Sequence, residues 1–271
     1  MPQPVLSLGG GVNIWLPQTG TVHSVFPRAV NLLVGGEMWT VLGASHPDAP
    51  FGIRLAQSSS GLEVAEGDRV HVRAGFVSVG KLILDCRTAT RWIPTRWAKP
   101  ASGLAARLSM IERAARPHAW AESARMASDV IDALRGGDSE LASAVRRVVG
   151  RGPGLTPAGD DVLVGILALH TSGAAGTAGD RAASRLANAL TPMLPTTSNV
   201  SGHLLQQAAR GLPGRALHDL GQALMEGAPN HILADAIRPV LATGSTSGAD
   251  ACMGLVAACR SSFPTAESIA A

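Results

Sequence analysis

The run Val162-Leu163-Val164-Gly165-Ile166-Leu167-Ala168-Leu169 is apolar on every side. A helix without a polar face must be enclosed by other elements, so this part of the chain requires a surrounding helical or layered core. The run follows directly on Gly150-Arg151-Gly152-Pro153-Gly154-Leu155-Thr156-Pro157-Ala158-Gly159-Asp160-Asp161. Glycines at this density allow backbone angles closed to other residues and let a ligand approach the main chain. Thr156 reads as the N-cap, with Pro157 at the first helical position. Acidic residues at a helix start complement the macrodipole, and capping alone accounts for one aspartate. Two adjacent aspartates behind a glycine loop, at the start of a buried helix, mark a candidate site. Its catalytic candidates are Asp160 and Asp161, and Gly152, Gly154, Thr156 and Gly159 are its binding candidates.

A second copy of this construction lies at Thr243-Gly244-Ser245-Thr246-Ser247-Gly248-Ala249-Asp250-Ala251-Cys252-Met253-Gly254. Aligning Asp161 with Asp250 also aligns Thr156 with Ser245, Gly159 with Gly248 and Gly165 with Gly254. Asp and Gly four residues apart share a helix face, and the glycine permits close packing one turn below the carboxylate. The spacing predicts two helices meeting near their N-termini, with Asp161 and Asp250 facing one cleft. Asp250 joins the catalytic candidates, and Ser245, Thr246, Ser247 and Gly248 join the binding candidates. Chance likeness between two Gly/Ser-rich caps is the plainer alternative.

Ahead of another helical stretch, Pro195-Thr196-Thr197-Ser198-Asn199-Val200-Ser201-Gly202-His203 is dense in hydroxyl and amide groups. Ser198, Asn199 or Ser201 could cap that helix. A third helix N-terminus lining the same cleft would present Ser198, Asn199, Ser201 and His203 to an anion; a polar loop with a redundant cap reads equally well. Ser201 and His203 are two apart and point away from each other on a helix, which excludes a Ser-His catalytic pair there. His170, ending the apolar helix, reads as a partner of the C-terminal dipole.

The apolar period divides the chain. Val70-His71-Val72 and Phe76-Val77-Ser78-Val79 alternate around the turn Arg73-Ala74-Gly75, and 29–34 and 37–42 are joined by Gly35-Gly36, a hairpin signal. Ile14-Trp15-Leu16, 21–26 and Leu82-Ile83-Leu84 read as further strands. These point to a small barrel or sandwich. From Ala101 the period becomes helical, with segments at 104–115, 120–134, 138–149, 182–190, 201–209, 216–225 and 232–241, and a flexible connector at 173–179. The expected fold is α+β: a β-rich domain over 1–100, then a mainly helical domain over 101–271 carrying the glycine loop. Trp92, Pro94 and Trp97 mark the crossover.

With 46% apolar and 16% charged residues, the chain can bury a substantial core. Its formal charge of +3 is scattered and comes almost wholly from Arg, with Lys81 and Lys99 the only lysines. Without a basic block, and with aromatics at 3%, it lacks the makings of a nucleic-acid surface. Cys86, Cys252 and Cys259 form no Cys-x-x-Cys pair and suit a reducing compartment. No signal-peptide pattern opens the sequence and no span of membrane length appears, so a cytoplasmic location is expected.

The Gly-x-Gly-Pro-Gly-Leu-Thr-Pro-x-Gly-Asp-Asp loop, the Ser-rich segment before His203 and the Thr-Ser-Gly-Ala-Asp stretch together resemble the AllH-like family over most of residues 20–260. The resemblance implies a subunit of an oxamate carbamoyltransferase, an enzyme of allantoin catabolism. That enzyme transfers a carbamoyl group between carbamoyl phosphate and oxamate, giving oxalurate and phosphate. It also implies partner subunits, one FdrA-like and similar to acyl-CoA synthetases. Helix N-termini favour a small anionic substrate, yet three aspartates repel one. A divalent cation, or an aspartate accepting from a carbamoyl NH2 group, would resolve that conflict. The residues alone require no cofactor. A carbamoyl- or acyl-transferase subunit, a metal-dependent hydrolase on a helical scaffold and a non-catalytic metabolite-binding subunit are the three classes open.

Overall fold

A computed structural model describes residues 2–264, which divide into two compact units that part between Pro94 and Thr95.

In the first unit, strands alternate apolar and polar residues until the sheet closes on itself. Its strands are β1 (Gln3–Gly9), β2 (Gln18–Phe26), β3 (Ala29–Val34), β4 (Glu37–Leu42), β5 (Gly52–Leu55), β6 (Arg69–Arg73), β7 (Phe76–Val79), β8 (Leu82–Asp85) and β9 (Thr90–Trp92). Hydrogen bonding runs β5-β4-β3-β2-β6-β7-β8-β1, and β1 pairs back onto β5, which completes an eight-stranded barrel. A barrel of this size is filled by its own inward side chains. Leu8, Leu32, Trp39, Ile53, Leu55 and Leu84 fill that interior. β9 lies outside the ring, parallel to the Ser7–Gly9 end of β1, while β8 pairs with Gln3 and Pro4. Gly35 and Gly36 both adopt positive φ at the β3–β4 hairpin, as a tight two-residue turn requires. Ile14-Trp15-Leu16 is not a strand. Ile14 is buried, but Trp15 and Leu16 are each about 60% exposed in an irregular segment, so the apolar triplet does not alternate across a sheet.

The second unit is helical: α1 (Leu104–Ala115), α2 (Ser123–Arg135), α3 (Asp138–Val148), α4 (Ala158–Thr171), α5 (Gly176–Leu190), α6 (Asn199–Ala209), α7 (Arg215–Glu226), α8 (Asn230–Leu241) and α9 (Ser247–Ser262). A 3-10 segment over Thr191–Thr196 precedes α6. The α+β reading therefore holds. Two helix starts differ from those expected by more than two residues. α2 begins at Ser123 rather than near Trp120, and α5 takes in half of the expected flexible connector. Gly179 lies within α5, where a side chain would strike Ala175 and the His170 carbonyl. Trp97 packs within this unit, where its ring covers Gly221 of α7. All three cysteines are free and buried. Among the described residues, no helix is long and apolar enough to cross a membrane.

α4 is buried at every position but Val164 and its last residue, Thr171, as its sequence demands, and its principal neighbour is α9. Glycines set that contact. A methyl placed on Gly165 would lie 1.9 Å from the Ala251 carbonyl oxygen, and one on Gly254 would lie 2.0 Å from that of Val162. The other repeated pair behaves alike. A methyl on Gly159 would lie 2.0 Å from the Val148 carbonyl at the end of α3, and one on Gly248 would lie 1.7 Å from the Val240 carbonyl near the end of α8. The two sequence copies are thus two helix-loop-helix copies, α3–α4 and α8–α9, making equivalent contacts. Their second helices cross on bare backbone.

Candidate functional site

The first-turn ends of α4 and α9 lie together, with Thr156 Oγ1 2.8 Å from Ser247 Oγ. The three aspartates of this region have different surroundings.

Asp160 is fully engaged. Its Oδ1 accepts the Gly150 N–H at 2.8 Å, and its Oδ2 accepts the hydroxyls of Ser201, at 2.6 Å, and Thr197. It ties the glycine loop to the start of α6. Ser198 completes that tie: it caps α6 by accepting the Ser201 N–H and donates its own hydroxyl to the Leu155 carbonyl. The start of α6 therefore meets the glycine loop, and the Ser198 and Ser201 hydroxyls are spent on that contact. His203 lies a turn further on, with Nδ1 2.8 Å from the Asn199 carbonyl oxygen.

Asp250 is half engaged. Its Oδ1 accepts the Trp120 N–H at 2.8 Å and the Ser123 hydroxyl at 2.6 Å, fastening the start of α2 to α9; its Oδ2 is buried without a partner. Trp120 and Ser123 were not legible as its partners, because 130 and 127 residues separate them from Asp250. Asp250→Ala leaves two buried donors unsatisfied, at roughly 1–3 kcal/mol each. Chemical denaturation should show a loss on the order of 3 kcal/mol, whereas Asp250→Asn, which keeps an acceptor, should lose much less.

Asp161 is half engaged as well, but by hydroxyls alone, those of Ser247 and Thr156. It is 6% exposed, and its Oδ2 is buried without a partner. Burial pushes its carboxyl up to about 8, the neighbouring Asp250 and Asp160 charges push the same way, and the Ser247 and Thr156 hydroxyls pull against them. At neutral pH Asp161 is thus mostly a neutral acid, with a proton to donate. His170, at the far end of α4, is held neutral by burial, its pKa lowered to about 4, and both ring nitrogens lack partners. A neutral ring is a weak dipole partner, which corrects the role read from its position.

The N-cap of α4 is Pro157 in extended conformation, with no side-chain cap, rather than Thr156. Thr156 turns toward Ser247 instead. The N–H groups expected to meet an anion are redistributed too. Those of Gly159, Asp160 and Asp161 donate to the Arg151 and Pro157 carbonyls. Among the described residues, those of Gly152, Gly154, Leu155 and Thr156 donate to no protein acceptor. Gly152 and Gly154 hold φ of +108° and +96°, the left-handed region that favours glycine. Gly159 and Gly248 are glycines for packing, backed against carbonyls. Ser245 and Thr246 flank the second loop, where Thr246 accepts the Asp250 N–H. Among the described residues no group of three or more His, Cys, Asp and Glu side chains is arranged to hold a metal.

Two family models match the chain. One, described as oxamate carbamoyltransferase subunit AllH, matches residues 148–259, which spans the glycine loop, the Ser198 segment and Asp250. The other, the AllH family N-terminal domain, matches residues 11–91, within the barrel unit. No curated protein and no solved structure matches significantly.

Proposed function

The chain belongs to the AllH-like family, and from that premise we propose that it is a subunit of an oxamate carbamoyltransferase-like enzyme acting on oxamate, oxalurate or a related small acid. In the phosphorolytic direction, a phosphate oxygen attacks the ureido carbonyl carbon of oxalurate. The carbon–nitrogen bond breaks, and the departing oxamate nitrogen takes up a proton. Carbamoyl phosphate and oxamate result. Asp161 supplies that proton and recovers it in the reverse direction; a carboxyl with its pKa near 8 is matched to this task near neutrality. The open N–H groups of Gly152, Gly154, Leu155 and Thr156 receive the negative charge developing on the carbonyl oxygen or carried by phosphate. Thr156 and Ser247 position the acid. Asp160 and Asp250 hold the loop and the start of α2 in register around it.

One observation carries this reading: a buried acid with an unpartnered oxygen, Asp161, directly behind a loop of unpaired N–H groups. The remaining subunits, an FdrA-like one among them, complete the enzyme. The test is oxalurate phosphorolysis by the purified chain alone and by the chain co-expressed with its genomic neighbours. Activity is expected only in the complex. A complex that keeps full activity with Asp161→Asn would make the chain a binding subunit instead. Stoichiometric divalent metal in the purified protein, required for activity, would favour a hydrolase-type site.

A further inference from the structure

Beside Gly150, a groove of about 500 Å³ opens between the first turns of α2 and the end of α3. Four arginines line it: Arg125 from α2, Arg146 and Arg147 from the last turn of α3, and Arg151 from the glycine loop. Two acids share it, Glu122 and Asp129. Glu122 is already engaged, 3.3 Å from Arg125 and 3.6 Å from Arg151. It holds those two guanidinium groups at the rim. Arg146 and Arg147 meet no carboxylate among the described residues. Basic residues at a helix C-terminus complement its dipole, and one would serve. Four solvent-exposed arginines and two acids line one groove, so it carries an excess of two positive charges, of the size that a dianion neutralises.

We infer that this groove is a binding site for a phosphate group, either inorganic phosphate or the phosphoryl end of a small phosphate ester. Arginine's planar fork matches phosphate oxygens bidentately, which selects phosphate over a simple halide. The volume falls within the usual range of small-molecule sites, roughly 300–1,000 Å³. That favours a small ligand over an acidic segment of a partner protein, which would need a far broader contact. The site does not depend on the role given to Asp161. It is nevertheless linked to that residue's surroundings, because Gly150 donates to Asp160 and the start of α2 is held by Asp250.

The experiment is isothermal titration of the full chain with inorganic phosphate and pyrophosphate at fixed ionic strength, with chloride as the reference anion. Arg146→Ser/Arg147→Ser is expected to weaken phosphate binding at least about tenfold, the usual scale for losing a charge-assisted pair. Arg151→Ser should weaken it further. Arg113→Ser, on the exposed side of α1, should leave it unchanged and controls for net charge. Asp161→Asn should also bind phosphate normally at this site. The inference fails if the arginine variants bind as the wild type does. It fails equally if Asp161→Asn alone abolishes binding, which would put the phosphate in the glycine loop. It fails too if phosphate does not bind but a polyglutamate peptide does, which would make the groove a protein-docking surface.

Discussion

Asp161→Asn is expected to stabilise the protein at pH 9 while costing the assembled enzyme on the order of 100- to 10,000-fold in activity, the usual range for losing a general acid. The ordinary carboxyl value is 3.8, and in the folded protein it is raised to about 8. Between those values the folded state holds a proton that the unfolded chain has released, so stability falls as pH rises and levels off above about 8. Across the whole window the loss is on the order of 5 kcal/mol. Asparagine keeps the shape, accepts from the same hydroxyls and never ionises, so the variant's stability should not follow that slope. Near pH 4 the two proteins should unfold alike; by pH 9 the variant should be the more stable by several kcal/mol. Urea midpoints at pH 4, 7 and 9, measured beside phosphorolysis rates, test both halves. Parallel pH profiles would show that Asp161 titrates as an ordinary carboxyl, and undiminished turnover would remove it from the chemistry.

Gly165→Ala is expected to destabilise the helical unit by about 3 kcal/mol or more, near the upper end for overpacked cores. The added methyl meets a carbonyl oxygen at 1.9 Å, and backbone cannot rotate away as a side chain can. α4 and α9 must separate along their length, and the loops above them separate too. Gly254→Ala should cost a similar amount through the equivalent contact. The double variant should cost clearly less than the two together, since helices already forced apart have room for the second methyl. Gly214→Ser is the counterexample. It sits at the start of α7 with nothing within 4 Å of an added Cβ and a negative φ, so a serine cap there should be neutral or stabilising. Melting temperatures of the four proteins rank these effects; a Gly165→Ala protein that melts with the wild type would mean that the crossing is looser than described.

The repeat around Asp161 and Asp250 was legible because both copies keep the same glycines, and those glycines are where helix backbones touch. Strands with strict alternation, such as Val70-His71-Val72, were legible for the reason that one face of each is buried. Barrel closure was not. β1 contains Pro4 and three adjacent buried residues, Ser7, Leu8 and Gly9, so its alternation breaks. β5 and β9 are only four and three residues long. All three owe their form to partners far along the chain rather than to local pattern. The same limit applied at the site. The glycine loop announced itself, but the differing tasks of three aspartates depend on which donors reach them: Thr197 and Ser201 for Asp160, Trp120 and Ser123 for Asp250. Spacing predicted a symmetric pair. The surroundings are unequal: a backbone N–H and a hydroxyl meet Asp250, and hydroxyls alone meet Asp161.

α4 and α9 also impose an order on the making of this protein. α4 is apolar on all sides, and its main cover arrives only after α5 to α8 have been synthesised. A nascent chain leaving the ribosome therefore carries an exposed greasy segment for the whole interval, which is the condition under which chaperones engage and unfinished chains aggregate. Any message cut short before α9 yields a product with this segment uncovered, which quality control should remove rather than a partly working enzyme.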